Sequence, residues 1–309
     1  MYDSHSKGIS YTAGFFMLIS FTIAALILAV SLSTPVWTAM TGRPAAEMIG
    51  GMKDPGSSDF AKVNQVITAV VGFLLPAIFT AFLMNRRPFK LLGFYPGFKP
   101  NQVLLVIFIM GTAMLVSGSL SYFNNLIPVP DAWRVSFDKM EKGYQEQLEA
   151  IVKLNSPTEF LLALFIMAFL PALCEEALFR GGLQNFLTRS TKMPWFSILI
   201  VSLIFSAVHF SWYGFLSRFF LGVVLGLLFQ YSGRLWLCII AHFFNNALAI
   251  TLLYVAAQQG TSVTDAMKEG GETYWGIVAL PVLIILLMWF RKTGRNYALK
   301  NIEGTTQPY

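Results

Sequence analysis

Two adjacent carboxylates, an arginine, two histidines and a pair of asparagines lie within the most apolar parts of this chain. Glu175, Glu176 and Arg180 fall in FLPALCEEALFRGGLQNF, His209 in LIFSAVHF, and His242, Asn245 and Asn246 in LCIIAHFFNNALAI. An ionisable side chain in the hydrocarbon region of a bilayer costs roughly 2.5–3.5 kcal/mol on insertion scales, so each needs a reason to be there. Together they offer a general base, a positive charge and donors for a developing oxyanion, which helix packing alone does not need. The chemistry they fit is attack of an activated water on a carbonyl carbon. Singly, each has a plainer use. An intramembrane His or Asn often bonds two helices together, and Glu-Glu-x-x-x-Arg can be a buried ion pair that fixes helix register.

Helical spacing sorts these groups, because residues four apart share a face and adjacent residues point about 100° apart. Glu176 then lies beside Arg180, and His242 beside Asn246. This predicts that Arg180 holds Glu176 and leaves Glu175 to act as the base. Pro171, one turn before Glu175, is expected to kink the helix and make room for water. Counted from a turn at 189–194, Glu175 and His209 both lie about 21–23 Å along antiparallel helices and can face each other. His242, counted from a span beginning near 235, is only roughly 10 Å in and is expected at a shallower level. Cys174 points away from Glu175; it and Cys238 are read as small apolar groups, with no disulfide framework.

The elements that must position these residues are membrane helices. Of 309 residues, 55% are hydrophobic and 12% charged, where a soluble domain carries about 25% charged residues. Apolar stretches near the length needed to cross a bilayer occur at about 14–34, 64–84, 102–122, 158–180, 195–213, 215–231, 235–256 and 275–291. This predicts an all-α polytopic bundle of about eight transmembrane helices over 1–309, a single membrane domain with a catalytic core at 158–250. The first stretch is read as a retained helix, being longer than a signal-peptide core. Lys and Arg gather in the loops near 85–101, 181–194 and 231–234 and at both ends, which places both termini in the cytoplasm. The RKTGRNYALK run at 291–300 is expected to anchor the last helix there. The net charge of +6 therefore reflects topology and phospholipid contact rather than nucleic-acid binding.

Between the third and fourth spans, Trp133, Phe137, Met140, Tyr144, Leu148 and Ile151 recur at helical spacing, with Asp138, Glu141, Lys142, Glu146 and Glu149 on other faces. An extracytoplasmic amphipathic helix is expected near 131–153, lying on the membrane, capping the bundle or gating substrate entry. Gly222 and Gly226 form a G-x-x-x-G pair, read first as tight helix packing; it could also mediate a homodimer.

At its polar residues the sequence resembles the CAAX-protease and bacteriocin-processing (CPBP) family of intramembrane endopeptidases, related to type 2 CAAX prenyl proteases. Glu175 through Arg180 matches the family's E-E-x-x-x-R, Phe205 through His209 its F-x-x-x-H, and His242 through Asn246 its H-x-x-x-N. Phe219, Gly222, Gly226, Gly233, Leu235 and Trp236, between the second and third motifs, look like its Phe/Gly-rich helix and Gly-x-Leu-Trp turn. The resemblance covers about 158–250. It implies an eight-helix bundle in which Glu175 and His209 activate water, His242 and Asn246 stabilise the oxyanion, and Glu176 and Arg180 support the site. It further implies a multi-pass protein of the inner or plasma membrane acting on a membrane-associated peptide or protein. Members have been described as metalloproteases and as glutamate-dependent proteases. No H-E-x-x-H signature is present, so a metal-independent attack is favoured, with Glu175, His209 and His242 the set that would bind zinc if a metal takes part. Two other classes stay open: a proton-coupled transporter, since intramembrane Glu, His and Arg also relay protons, and a non-catalytic scaffold or immunity protein of the same fold.

Overall fold

The computed structural model describes residues 5–52, 54–97, 99–152, 154–261 and 274–302. Nine principal helices are labelled in chain order: α1 (Tyr11–Thr41), α2 (Ser58–Met84), α3 (Pro100–Asn125), α4 (Asp131–Ile151), α5 (Pro157–Thr191), α6 (Pro194–Ala207), α7 (Phe215–Ser232), α8 (Leu235–Gln258) and α9 (Tyr274–Thr293). Among the described residues there is no strand, only an isolated bridge between Ser6 and Asn85. The all-α polytopic bundle is as expected. Seven of the helices are long and apolar enough to cross a membrane; α6, with 14 residues, is not, and α4 is the amphipathic helix anticipated near 131–153.

Local chemistry sets the helix ends. Ser10 caps α1 by accepting from the Ala13 amide at 3.2 Å, and Ser156 caps α5 by accepting from Glu159, followed by Pro157 at the first helical position. Gly42 and Gly233 close α1 and α7 in the left-handed region, with φ of 68° and 63°.

The 35-residue α5 is the hub: 56% of its most apolar window is buried, against 11% for α1 and for α9, which turn most of their surface to lipid. It contains two π-helical stretches, Leu164–Phe169 and Ala177–Gln184. The first absorbs the amide that Pro171 lacks, so the proline is carried by a continuous helix; the second widens the turn that holds Arg180. Between apolar helices in lipid, close approach and polar bonds hold the bundle together. Arg180 Nη2 donates to the Gly222 carbonyl at 3.1 Å, and one turn later Gln184 Nε2 donates to the Gly226 carbonyl at 2.9 Å. A Cβ on Gly222 would come within 3.0 Å of Ser202 Cβ on α6, and one on Gly226 within 2.9 Å of Gln184 Oε1. The G-x-x-x-G stripe is thus filled by α5 and α6 of the same chain.

Two expectations change, and the chain before α1 is held in place. The span expected at 195–213 stops at Ala207, since Val208 turns out of the helix, His209 takes a carbonyl of the last turn, and Phe210 adopts φ of 50°. The segment at 5–8 is tied down, with Arg86 N donating to His5 O and Lys7 N to Met84 O. On α4, Phe137, Glu141, Tyr144 and Leu148 turn inward, whereas Trp133 and Met140 stay exposed at 62% and 44%. Side chains of the 291–300 run beyond Thr293 lie outside the described residues.

Candidate active site

The level at which each helix starts decides which groups meet. The turn joining α7 to α8 is recessed: Leu235 N donates to Gly93 O at 2.9 Å, and Leu92 and Leu235 are fully buried. A Cβ on Gly181 would lie 2.8 Å from Leu92 O and 3.4 Å from Leu235 Cδ2, so Leu235 stands beside Gly181. From that shared level, Glu175 is six residues up α5 and His242 seven residues up the antiparallel α8, about 9 and 10.5 Å. His242 therefore reaches the glutamates, and the shallower placement expected from counting turns is corrected: the 233–235 turn lies below the 189–194 turn, roofed by residues 91–93.

Glu176 is fully buried and its Oε1 is shared. Arg180 Nη1 donates to it at 2.7 Å and His242 Nδ1 at 2.8 Å. Removing one partner of such a buried set leaves an uncompensated charge, at a cost of about 3–5 kcal/mol. Glu175 takes no part in it. Its Oε2 is buried without a hydrogen-bond partner and lies 3.9 Å from His242 Nε2, a gap that one water can span.

The tautomers follow from the partners. His209 Nδ1 lies 2.7 Å from the Phe205 carbonyl oxygen, which can only accept, so Nδ1 carries the proton and Nε2 of the neutral ring is a lone pair. His242 Nδ1 faces a carboxylate and donates likewise, leaving Nε2 turned toward Glu175. Phe205 ties these groups together: His209 and His242 meet its ring at centroid distances of 5.0 and 6.0 Å, and the Arg180 guanidinium stacks at 4.7 Å. His209 is within electrostatic reach of Glu175, His242 and Arg218. Asn245 Nδ2 donates to Asn246 Oδ1 at 3.0 Å, which occupies the acceptor of Asn246 and leaves its amide donor for another partner.

Residues 157–248 match the family model described as Type II CAAX prenyl endopeptidase Rce1-like. The match bears out the resemblance read from the three motifs. All of them fall within it, and this segment is similar to CAAX-type intramembrane endopeptidases. No curated protein and no solved structure matches the chain.

Within the Rce1-like segment the structure brings together Glu175, Glu176, Arg180 and His242, and sets His209 against the same phenylalanine. Among the described residues, no group of three His, Cys, Asp and Glu side chains converges as a ligand set for a metal. Both Nδ1 atoms are committed as donors, an arrangement that zinc-binding imidazoles also use, so Glu175, His209 and His242 stay the set that would hold a metal if one takes part, and no step below passes through one. Sequence reasoning named Asn245 and Phe205 without giving them a role, Asn245 orienting Asn246 and Phe205 being the shared aromatic, and it missed Arg218 and the attachment of α4 to the loop after His209. Arg218 was open to detection, being a charge within the expected span 215–231 and subject to the same insertion cost as the other residues.

The loop after His209 leans on α4. Ser211 donates to Glu141 Oε2, Tyr213 to Asp138, and Phe137 stacks on Trp212 at 4.7 Å and 5°. Bonding to Asp138 holds the Tyr213 phenol above its ordinary pKa, because that bond needs the proton in place. Phe210, at φ of 50° and 69% exposed, carries left-handed strain of order 1–3 kcal/mol immediately beside His209.

Proposed function

We propose that this multi-pass membrane protein is an intramembrane endopeptidase that hydrolyses a peptide bond of a membrane-associated protein or peptide with water activated by Glu175 and His209. The observation that carries this reading is the asymmetry of the two glutamates: both keep a buried, unpartnered Oε2, but Glu176 is committed through Oε1 to Arg180 and His242, while Glu175 stands outside that set with its Oε2 3.9 Å from a histidine nitrogen. A water in that space donates one hydrogen to Glu175 and the other to the Nε2 lone pair of His209. As its oxygen bonds to the scissile carbonyl carbon, Glu175 takes the proton. The carbonyl oxygen becomes an oxyanion accepting from Asn246 Nδ2, and the Nε2 edge of His242 borders the same space. Collapse of the tetrahedral species breaks the C–N bond, and Glu175 returns the proton to the departing amine. Glu176 and Arg180 fix the ring of His242. The basic loops support an inner or plasma membrane location with both termini cytoplasmic.

The test compares new peptide termini in membranes of cells expressing the intact protein, Glu175→Ala or His209→Ala, with and without a chelator. Termini lost in both variants and insensitive to chelation support the proposal. Chelator sensitivity points to a metal enzyme, and indistinguishable profiles point to a transporter or scaffold.

A further inference from the structure

We infer that Arg218 anchors a carboxylate of the substrate beside the scissile bond; this rests on the protease reading above and names what that same site recognises. Arg218 lies in the first turn of α7, where the positive end of the helix dipole disfavours a cation, within a span where any charge is costly. Among the described residues no carboxylate lies within ion-pair distance of it. The acids of the facing helix, Asp138 and Glu141, accept from Tyr213 and Ser211 instead.

What the guanidinium does touch ties it to the catalytic loop. Nη2 donates to the carbonyl of Ser211, two residues past His209, at 3.0 Å, and the ring of Tyr144 on α4 lies 5.4 Å from its carbon. Nε is buried and has no partner. A buried N–H beside further guanidinium donors matches the two oxygens of a planar anion. An unmodified peptide offers anions of one kind, carboxylates, either on Asp and Glu side chains or at its C-terminus. Bound there, such a group would fix the peptide relative to His209 and supply the charge that Arg218 lacks.

Equilibrium binding to the full chain carrying Glu175→Gln, in nanodiscs of neutral lipid, separates recognition from cleavage. The probes are N-acylated randomised peptide pools in four forms: free or amidated C-terminus, with or without Asp and Glu. The expected result is at least tenfold tighter binding of one carboxylate-bearing form over the fully neutral pool. Adding Arg218→Gln should abolish that preference and leave neutral-pool binding unchanged, and Arg218→Lys should retain part of it. Whether the amidated acidic pool or the free-terminus pool shows the preference identifies the source of the carboxylate. Equal binding of all four pools overturns the inference, as does equal weakening of all four by Arg218→Gln, or a preference that Arg218→Lys leaves at full size when the Gln variant does not fold. Failure of the protease reading would show separately, as an intact protein that keeps the preference and cuts none of the pools.

Discussion

His242 and Glu176 are bonded through Nδ1 and Oε1 at 2.8 Å, and that oxygen also receives Arg180 at 2.7 Å. The carboxylate therefore serves as both counter-charge and orienting group. We predict that Glu176→Gln loses about 3–5 kcal/mol of stability together with activity, since the buried Arg180 is left without its partner charge. Glu175→Gln should melt close to the parent and lose about 10²–10⁴ in turnover. Thermal unfolding in detergent beside peptide cleavage checks both; similar melting losses in the two variants would refute the division of roles.

Asn246 and Asn245 should separate in kinetics. Removing an oxyanion donor costs about 10²–10³ in kcat, expected for Asn246→Ala. Asn245→Ala frees the acceptor of Asn246 and lets its amide turn over, so kcat should fall by a smaller factor with KM little changed. Steady-state kinetics on a cleaved peptide decides; a larger loss at Asn245 than at Asn246 would reverse the assignment.

The position of His209 depends on α4. Phe137→Ala removes the stack on Trp212, and Glu141→Gln weakens the bond from Ser211. In each, hydrogen exchange should rise in residues 208–214 before it rises in α5, and turnover should fall several-fold. Unchanged exchange in that loop would mean α4 does not hold it.

Enlarging Gly226 should unfold the protein rather than dissociate an oligomer. Gly226→Leu places a side chain where Gln184 and Ile198 already lie, at 2.9 and 3.0 Å from a Cβ, so the melting temperature should drop and folded yield collapse at any protein concentration. A concentration-dependent melting temperature in the parent, abolished by this change, would instead indicate a dimer.

The helices and the pairing of Glu176 with Arg180 apart from Glu175 were legible because apolar length and the 3.6-residue period are written locally. What was not legible depends on contacts between distant segments. No local signal shows that residues 91–93 roof the 233–235 turn, and this sets the level of His242. Nor does LIFSAVHFSWYGF, with no glycine or proline before Gly214, announce a helix end at Ala207; a side-chain bond from His209 to Phe205 O marks it. Asp138 and Glu141 read as outward charges until their hydroxyl partners, more than sixty residues away, are placed against them.

The brevity of α6 makes bilayer thickness a variable of this protein. Fourteen residues rise about 21 Å, short of a hydrocarbon core of about 30 Å, so lipid beside this helix must thin or the loop after it must lie below the far headgroups. Irregular backbone at that depth persists only where protein or water satisfies it. Short-chain lipids relieve the mismatch and long-chain lipids aggravate it, so the acyl length of the host membrane sets how far His209 sits from the aqueous phase.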